Sequence, residues 1–309
     1  MVKTLPKVDV VTVGLGWTGG IIAAECAKAG LKVIGLERGQ ERGTEDFSKV
    51  HDEYRYAIRY ELMQNLAKET ITFRNNRKMP ALPMRQMGSF LLGEGLGGSG
   101  THWNGQTWRF LPYDFQIKTM TDKKYGPNKL SKDYILQDWG LTYDQLEPYF
   151  DKFEKTAGIS GEDNNPNWGK RSADYPTPPM KKTQILKKFE SATSKLGYHP
   201  FMMPSANLSE FYTNPDGAQI TACQYCGFCE RFGCEYGAKT SPEITVVPTA
   251  RKTGNFEMIF QANVVEVLKS GNKVTGVRYV NTLTGEEFIQ PAEIVVLTSY
   301  VFNNTKLLM

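Results

Sequence analysis

Two glycine-rich stretches, a histidine beside one of them and a run of four cysteines hold the residues whose types and spacing point to chemistry. The first stretch reads GLGWTG, Gly14 to Gly19, and follows the β-branched run Val8 to Val13. In such a passage Gly14 permits a tight turn, Gly16 lets backbone approach a pyrophosphate, and Gly19 lets the next helix pack closely. The amino terminus of that helix then favours an anion. Glu37 closes the next apolar segment, where a carboxylate can accept hydrogen bonds from ribose hydroxyls. The combination points to a dinucleotide, with a purely structural glycine turn as the alternative. The motif alone separates neither FAD from NAD; Arg38 invites a 2′-phosphate, but the acid ahead of it argues against NADP.

The second stretch, Gly93 to Gly105, reads GEGLGGSGTHWNG. Gly97, Gly98 and Gly100 expose backbone amides to phosphate and allow close approach to a flat ring, and Gly95 and Ser99 complete the candidate contacts. A flexible lid without ligand is the alternative. Cys223, Cys226, Cys229 and Cys234 follow the spacing CxxCxxCxxxxC, with Gly227 and Gly233 free to let the backbone curl. Four thiolates so close in sequence suit an iron–sulfur cluster. Zinc, which favours two separated CxxC knuckles, and local disulfides are the other readings. His51, in a charged stretch expected to be helical, and His199, in a Gly-Tyr-His-Pro turn, read as solvated side chains.

These groups need a framework. At 309 residues with 40% hydrophobic content, the chain is long enough for a large core and two joined domains. A net charge of +4 without long basic runs gives no reason to invoke nucleic acid. No run approaches the roughly 20 apolar residues that span a bilayer. Val8 to Val13 runs straight into the glycine turn and so reads as a first strand, not a signal peptide, which makes any export depend on a carrier partner. Val8 to Val13, a helix over Ile21 to Ala29 stopped by Gly30, and Leu31 to Leu36 form a βαβ unit, the start of a doubly wound α/β sheet. Tyr54, Ile58, Leu62 and Leu66 mark a helix by period, and Met79 to Gly105 reads as a functional loop. A capping box at Thr142 to Gln145 precedes an apolar face of Leu146, Tyr149, Phe150 and Phe153, and Ile185, Leu186, Phe189 and Leu196 form another helical stripe. Strands are expected over Phe256 to Leu268, Lys273 to Asn281 and Phe288 to Leu297. The expected organisation is a first part of a Rossmann-like domain over 1–140, with its loop at 86–110, an inserted helical segment with the cysteines over 141–240, and a return over 241–309.

The second glycine stretch resembles the loop that the glucose-methanol-choline (GMC) oxidoreductase family wraps around the flavin diphosphate and ring. The resemblance extends through Thr107 to Phe115, the QANVVEV strand containing Val264, and the terminal IVVLTSYVFNNTKLL, so it covers nearly the whole chain. It implies FAD as cofactor, an FAD-binding α/β domain with a partial α+β substrate domain, and oxidation of a CH–OH group. Family members are longer, so a carboxy-terminal half holding the catalytic base is expected beyond Met309 and no catalytic residue is assigned. Within the loop, THWN resembles the segment in which a histidine is bonded to the flavin 8α-methyl. This makes His102 the candidate for a covalent link and places Asn104 near the reactive face. The resemblance is greatest to the flavoprotein subunits of gluconate, fructose and glucose dehydrogenases. That branch implies a 3Fe-4S centre rather than 4Fe-4S, a small accessory subunit, a cytochrome c subunit and the outer face of the cytoplasmic membrane. A cytoplasmic protein, an oxygen-using FAD oxidase and an inactive FAD- and cluster-binding fragment are the alternatives.

Overall fold

The computed structural model describes residues 2–67, 70–84, 92–127, 129–131 and 133–309. The part of the expected loop at 85–91 lies outside them. Two compact units divide the chain: residues 1–104 with 224–309, and residues 105–223. Both breaks come earlier than the expected ones at 140 and 240, and the second separates Cys223 from the other three cysteines of the run.

In the first unit the β-branched runs form strands. These are β1 (Lys3–Thr4), β2 (Val8–Val13), β3 (Val33–Leu36), β4 (Phe256–Ile259), β5 (Ala262–Ser270), β6 (Lys273–Asn281) and β7 (Glu287–Leu297). Their order is β4-β3-β2-β7-β6-β5, with β1 beside β7. The β4, β3, β2 and β7 ladders are parallel and in register at one end, where Ile259 pairs with Leu36, Leu36 with Val13 and Val13 with Leu297. Strand β7 then pairs antiparallel with β6, and β6 with β5.

Helix α1 (Trp17–Lys28) crosses over between β2 and β3. Its buried Ala23, Ala24 and Ala27 present a flat surface to Val246, Val247 and Ala250, which belong to a helix over 246–252. A side chain at Gly20 would reach 2.7 Å from Val246 Cγ2, so the small face sets the packing distance.

Two expectations fail here for local reasons. The strand expected over Phe256 to Leu268 is two strands, broken at Gln261, which takes a left-handed φ of 56° and donates to Gly39 O. The helix expected from Tyr54 to Leu66 ends at Ala57. Its buried residue is Arg55, at 2% exposure, whereas Tyr54 is 61% exposed, so the apolar period was misleading.

In the second unit the capping box forms as expected: Thr142 N donates to Gln145 Oε1 and Gln145 N to Thr142 Oγ1. The helix it starts, Tyr143–Ala157, buries Tyr143, Glu147, Glu154 and Ala157 rather than the expected aromatic face. Arg109 explains the inversion: it bonds Glu154 through two nitrogens at 2.7 Å and Glu147 at 3.0 Å, while Arg171 also holds Glu154. The stripe on helix Gln184–Lys195 is on the surface, with Ile185 at 76% and Phe189 at 61% exposure. No helix among the described residues is long and apolar enough to cross a membrane.

Candidate functional site

The carboxyl ends of β2, β3 and β7 bring the two glycine turns together in the first unit. Gly14 turns the chain out of β2 with φ of 95°. A side chain at Gly19 would lie 2.0 Å from Gly14 O, so the helix sits directly on the turn. Gly16 caps α1 without a side-chain bond of its own, leaving the helix amino terminus available to an anion. The second turn packs on the first: Gly97 N donates to Leu15 O at 2.9 Å, and a side chain at Gly98 would lie 3.6 Å from Gly16 Cα.

Glu37 joins the two turns. Its carboxylate accepts from Leu15 N and Gly39 N at 3.0 Å and from Gly95 N at 3.3 Å. A carboxylate offers about four acceptor positions, so roughly one remains for a ligand hydroxyl rather than a pair. Burial pushes the Glu37 carboxyl above its ordinary range, against the pull of those three amides. Gly39 serves the same junction, since a side chain there would meet Gly95 N at 2.2 Å.

A cleft of about 430 Å³ opens at this edge. Of the residues singled out in the sequence, Gly14, Gly16, Glu37, Gly98, Ser99 and Val264 line it. Gly19, Gly95 and Gly97 shape the turns without lining the cleft, and neither His102 nor Asn104 is among the lining residues. His102 is buried at 3% exposure, on the short helix Ser99–His102 that starts at the cleft wall.

Sequence reasoning did not single out Thr298 and Tyr300. Thr298 Oγ1 donates to Val13 O at 2.9 Å and Gly14 O at 2.8 Å, locking the first turn from the end of β7. Tyr300 lines the cleft with φ of 69°, a left-handed conformation that non-glycine residues hold only under constraint. The available signal was positional: both follow a strand ending at the carboxyl edge, where such sheets bind ligands. Arg38 lines the cleft, but its guanidinium is 3.7 Å from Glu94 Oε1 and 3.4 Å from Gln64 Oε1, which engages it with protein groups.

The cysteine run departs from expectation. Among the described residues, no three or more His, Cys, Asp or Glu side chains come together as a metal-holding group. None of the five cysteines is in a disulfide, and each is half-buried. As placed, these residues do not form a cluster-holding group. Gly227 does take a left-handed φ of 85°, but Gly233 is required by packing, since a side chain there would meet the Phe47 ring at 2.3 Å. Protein side chains instead grip this segment: Arg55 donates to Gly233 O and Glu235, and His51 pairs with Glu235 and stacks on Phe228. Lys239, at 2% exposure, points its ammonium back under Cys229 and Phe232. Burial pulls that ammonium down to about 8, although the neighbouring Cys229, Cys234 and Glu243 favour its charge.

Comparison with known proteins matches the family model described as GMC oxidoreductase to residues 136–309. The chain is 39% identical over 323 residues to the gluconate 2-dehydrogenase flavoprotein of Pantoea cypripedii, covering 99% of this chain and 52% of that protein. It is 28% identical over 313 residues to 2-methyl-1,2-propanediol dehydrogenase of Mycolicibacterium austroafricanum, covering 100% and 52%. The chain thus spans about half the length of these curated relatives. The solved structure of pyridoxine 4-oxidase from Mesorbium loti shares the fold, with a TM-score of 0.55 at 18% identity over 97% of this chain and 51% of that one.

Proposed function

The chain belongs to the GMC oxidoreductase family, and on that premise we propose that its first unit binds FAD in the cleft beneath the two glycine turns. One observation carries the reading: Gly97 docks the second turn onto Leu15 of the first and Gly95 docks it onto Glu37 beside them, so that both turns face one cleft. A lone dinucleotide turn would serve NAD as well; a second turn built into the same wall favours the longer, flavin-bearing ligand.

In this assignment the amino terminus of α1 and the amides around Gly98 and Ser99 hold the diphosphate, and Glu37 takes a ribose hydroxyl. Thr298 and Gly19 keep the first turn rigid. Bound there, FAD supplies a hydride acceptor for the CH–OH group of an alcohol, sugar or sugar acid, as in a gluconate 2-dehydrogenase-like enzyme. His102 is the proposed point of covalent attachment, a reading supported by the THWN resemblance. The base that takes the substrate proton is not assigned to any residue of this chain.

A cluster at Cys223, Cys226, Cys229 and Cys234 is supported by their spacing and by resemblance alone. Iron and acid-labile sulfide assays on anaerobically purified protein test it, and absence of both ends it. A small accessory subunit, a cytochrome c subunit and a place at the outer face of the cytoplasmic membrane rest on the same resemblance. Co-purification from the native membrane tests them.

Titration of the purified chain with FAD, FMN and NAD⁺ tests the central reading. Saturable binding of FAD with a shifted visible spectrum is expected. Binding of NAD⁺ in preference to FAD would refute it.

A further inference from the structure

The end of the glycine loop is fastened to the cysteine segment at three points within the first unit. Arg231 N donates to His102 O at 2.7 Å, and Trp103 Nε1 donates to Thr240 O at 2.9 Å. The third tie runs through one side chain that also braces the cysteine segment itself. Lys239 Nζ donates to Trp103 O on one side and to Cys229 O at 2.7 Å and Phe232 O at 2.6 Å on the other. An ammonium has three protons, and here three backbone carbonyls receive them. Those carbonyls come from stretches 136, 10 and 7 residues away in sequence, so the contact is a long-range tie and not a local turn. The cost of burying a lone cation is offset by this complete coordination and by the nearby Cys229, Cys234 and Glu243. Glu243 in turn accepts from Thr101 Oγ1 at 3.2 Å, one residue before His102.

We propose that Lys239 is a positioning residue of the flavin site: its buried ammonium clamps the Trp103 carbonyl to Cys229 and Phe232 and so fixes the turn that carries His102 and Asn104. The inference rests on the FAD reading above. Without the cation, three carbonyls face one another with no donor between them, and like dipoles drive the two segments apart. A displacement there reaches the cleft through Thr101 and the helix that begins at Ser99. It is felt as weaker FAD binding and an altered flavin environment while the distant β-sheet stays folded.

The test uses the purified 309-residue chain, FAD as probe, and visible circular dichroism of the flavin alongside far-ultraviolet circular dichroism of the backbone. Lys239→Met, which keeps the length and removes the donors, is expected to retain the backbone signal, bind FAD at least tenfold more weakly and change the flavin band. Lys239→Ala is expected to regain the native flavin band with n-propylamine but not with n-propanol. A folded Lys239→Met that binds FAD within twofold of wild type with an unchanged band overturns the inference and leaves the FAD reading intact. Failure of the wild-type chain to bind FAD removes both. Should Lys239→Met not fold, refolding of Lys239→Ala with each additive decides: recovery of the flavin band with the amine alone supports the clamp, and equal recovery or none overturns it.

Discussion

The amide of Gly97 donates to the carbonyl oxygen of Leu15 at 2.9 Å, which makes the second glycine turn a structural continuation of the first. Gly97 also has φ of 86°, and a side chain there would meet Thr101 Oγ1 at 2.1 Å and Glu243 Oε2 at 2.3 Å. Crowding and backbone conformation therefore both exclude anything larger.

Gly97→Ala is expected to weaken FAD binding at least tenfold and to lower stability by about 1–3 kcal/mol, the usual range for overpacking a tight site. Flavin titration and urea unfolding read the two effects separately. A variant with unchanged values would show that the turns move independently.

Glu37→Gln places an amide nitrogen among three backbone donors, Leu15 N, Gly39 N and Gly95 N. An unmade bond of this kind costs about 1–3 kcal/mol. The variant also tests a pH effect whose sign follows from burial. The folded state holds the Glu37 proton more tightly than the unfolded chain, so this group lowers stability as pH rises from the ordinary value of 4.5 through the raised one. Urea midpoints across that window should fall less steeply in Glu37→Gln than in wild type.

In the second unit Arg109, Glu147, Glu154 and Arg171 form a buried charged network. Arg109→Met strands carboxylates in the interior and should cost about 3–5 kcal/mol, a loss that the double change Arg109→Met with Glu147→Gln partly reverses. Burial raises the Glu147 carboxyl, but the Ser172 amide and the Arg109 guanidinium outweigh it and hold the group below its usual range. Its contribution is therefore complete above the ordinary value of 4.5 and is lost as pH falls through the lowered one. Acid unfolding followed by tryptophan fluorescence should show that limb in wild type and not in Glu147→Gln.

His102→Ala should release all of its flavin on acid precipitation, whereas wild type should keep yellow colour in the pellet. Complete release from wild type would mean that the cofactor is held without a covalent bond.

The βαβ opening was legible because alternating apolar runs and a glycine turn obey local geometry, and the strand Lys273–Asn281 matched for the same reason. Glu37 was legible as an acid at the end of a strand; that backbone amides already occupy it was not, the farthest of the three coming from Gly95, 58 residues away. Arg55, Glu154 and Lys239 carried no sequence signal, for one shared reason. Sequence patterning treats charged residues as surface, yet each is buried because distant partners satisfy it. The break at Gln261 carried no glycine to announce it. The cysteine spacing announced a metal cluster, but spacing alone does not bring sulfurs together.

Strand β7 has the most demanding position in the first unit. Its first half pairs antiparallel with β6 and its second half parallel with β2, within one unbroken run of eleven residues. A slip of one residue would therefore turn out the buried faces on both sides of the strand at once, and Thr298 would leave the Gly14 turn. Such a strand is proofread twice. Insertions in the Ser270–Lys273 turn lengthen a hairpin tip and leave the cleft alone, whereas a single-residue insertion between Gln290 and Ala292 rephases hairpin against turn. Natural variation and engineered fusions should accumulate at the first place and be absent from the second.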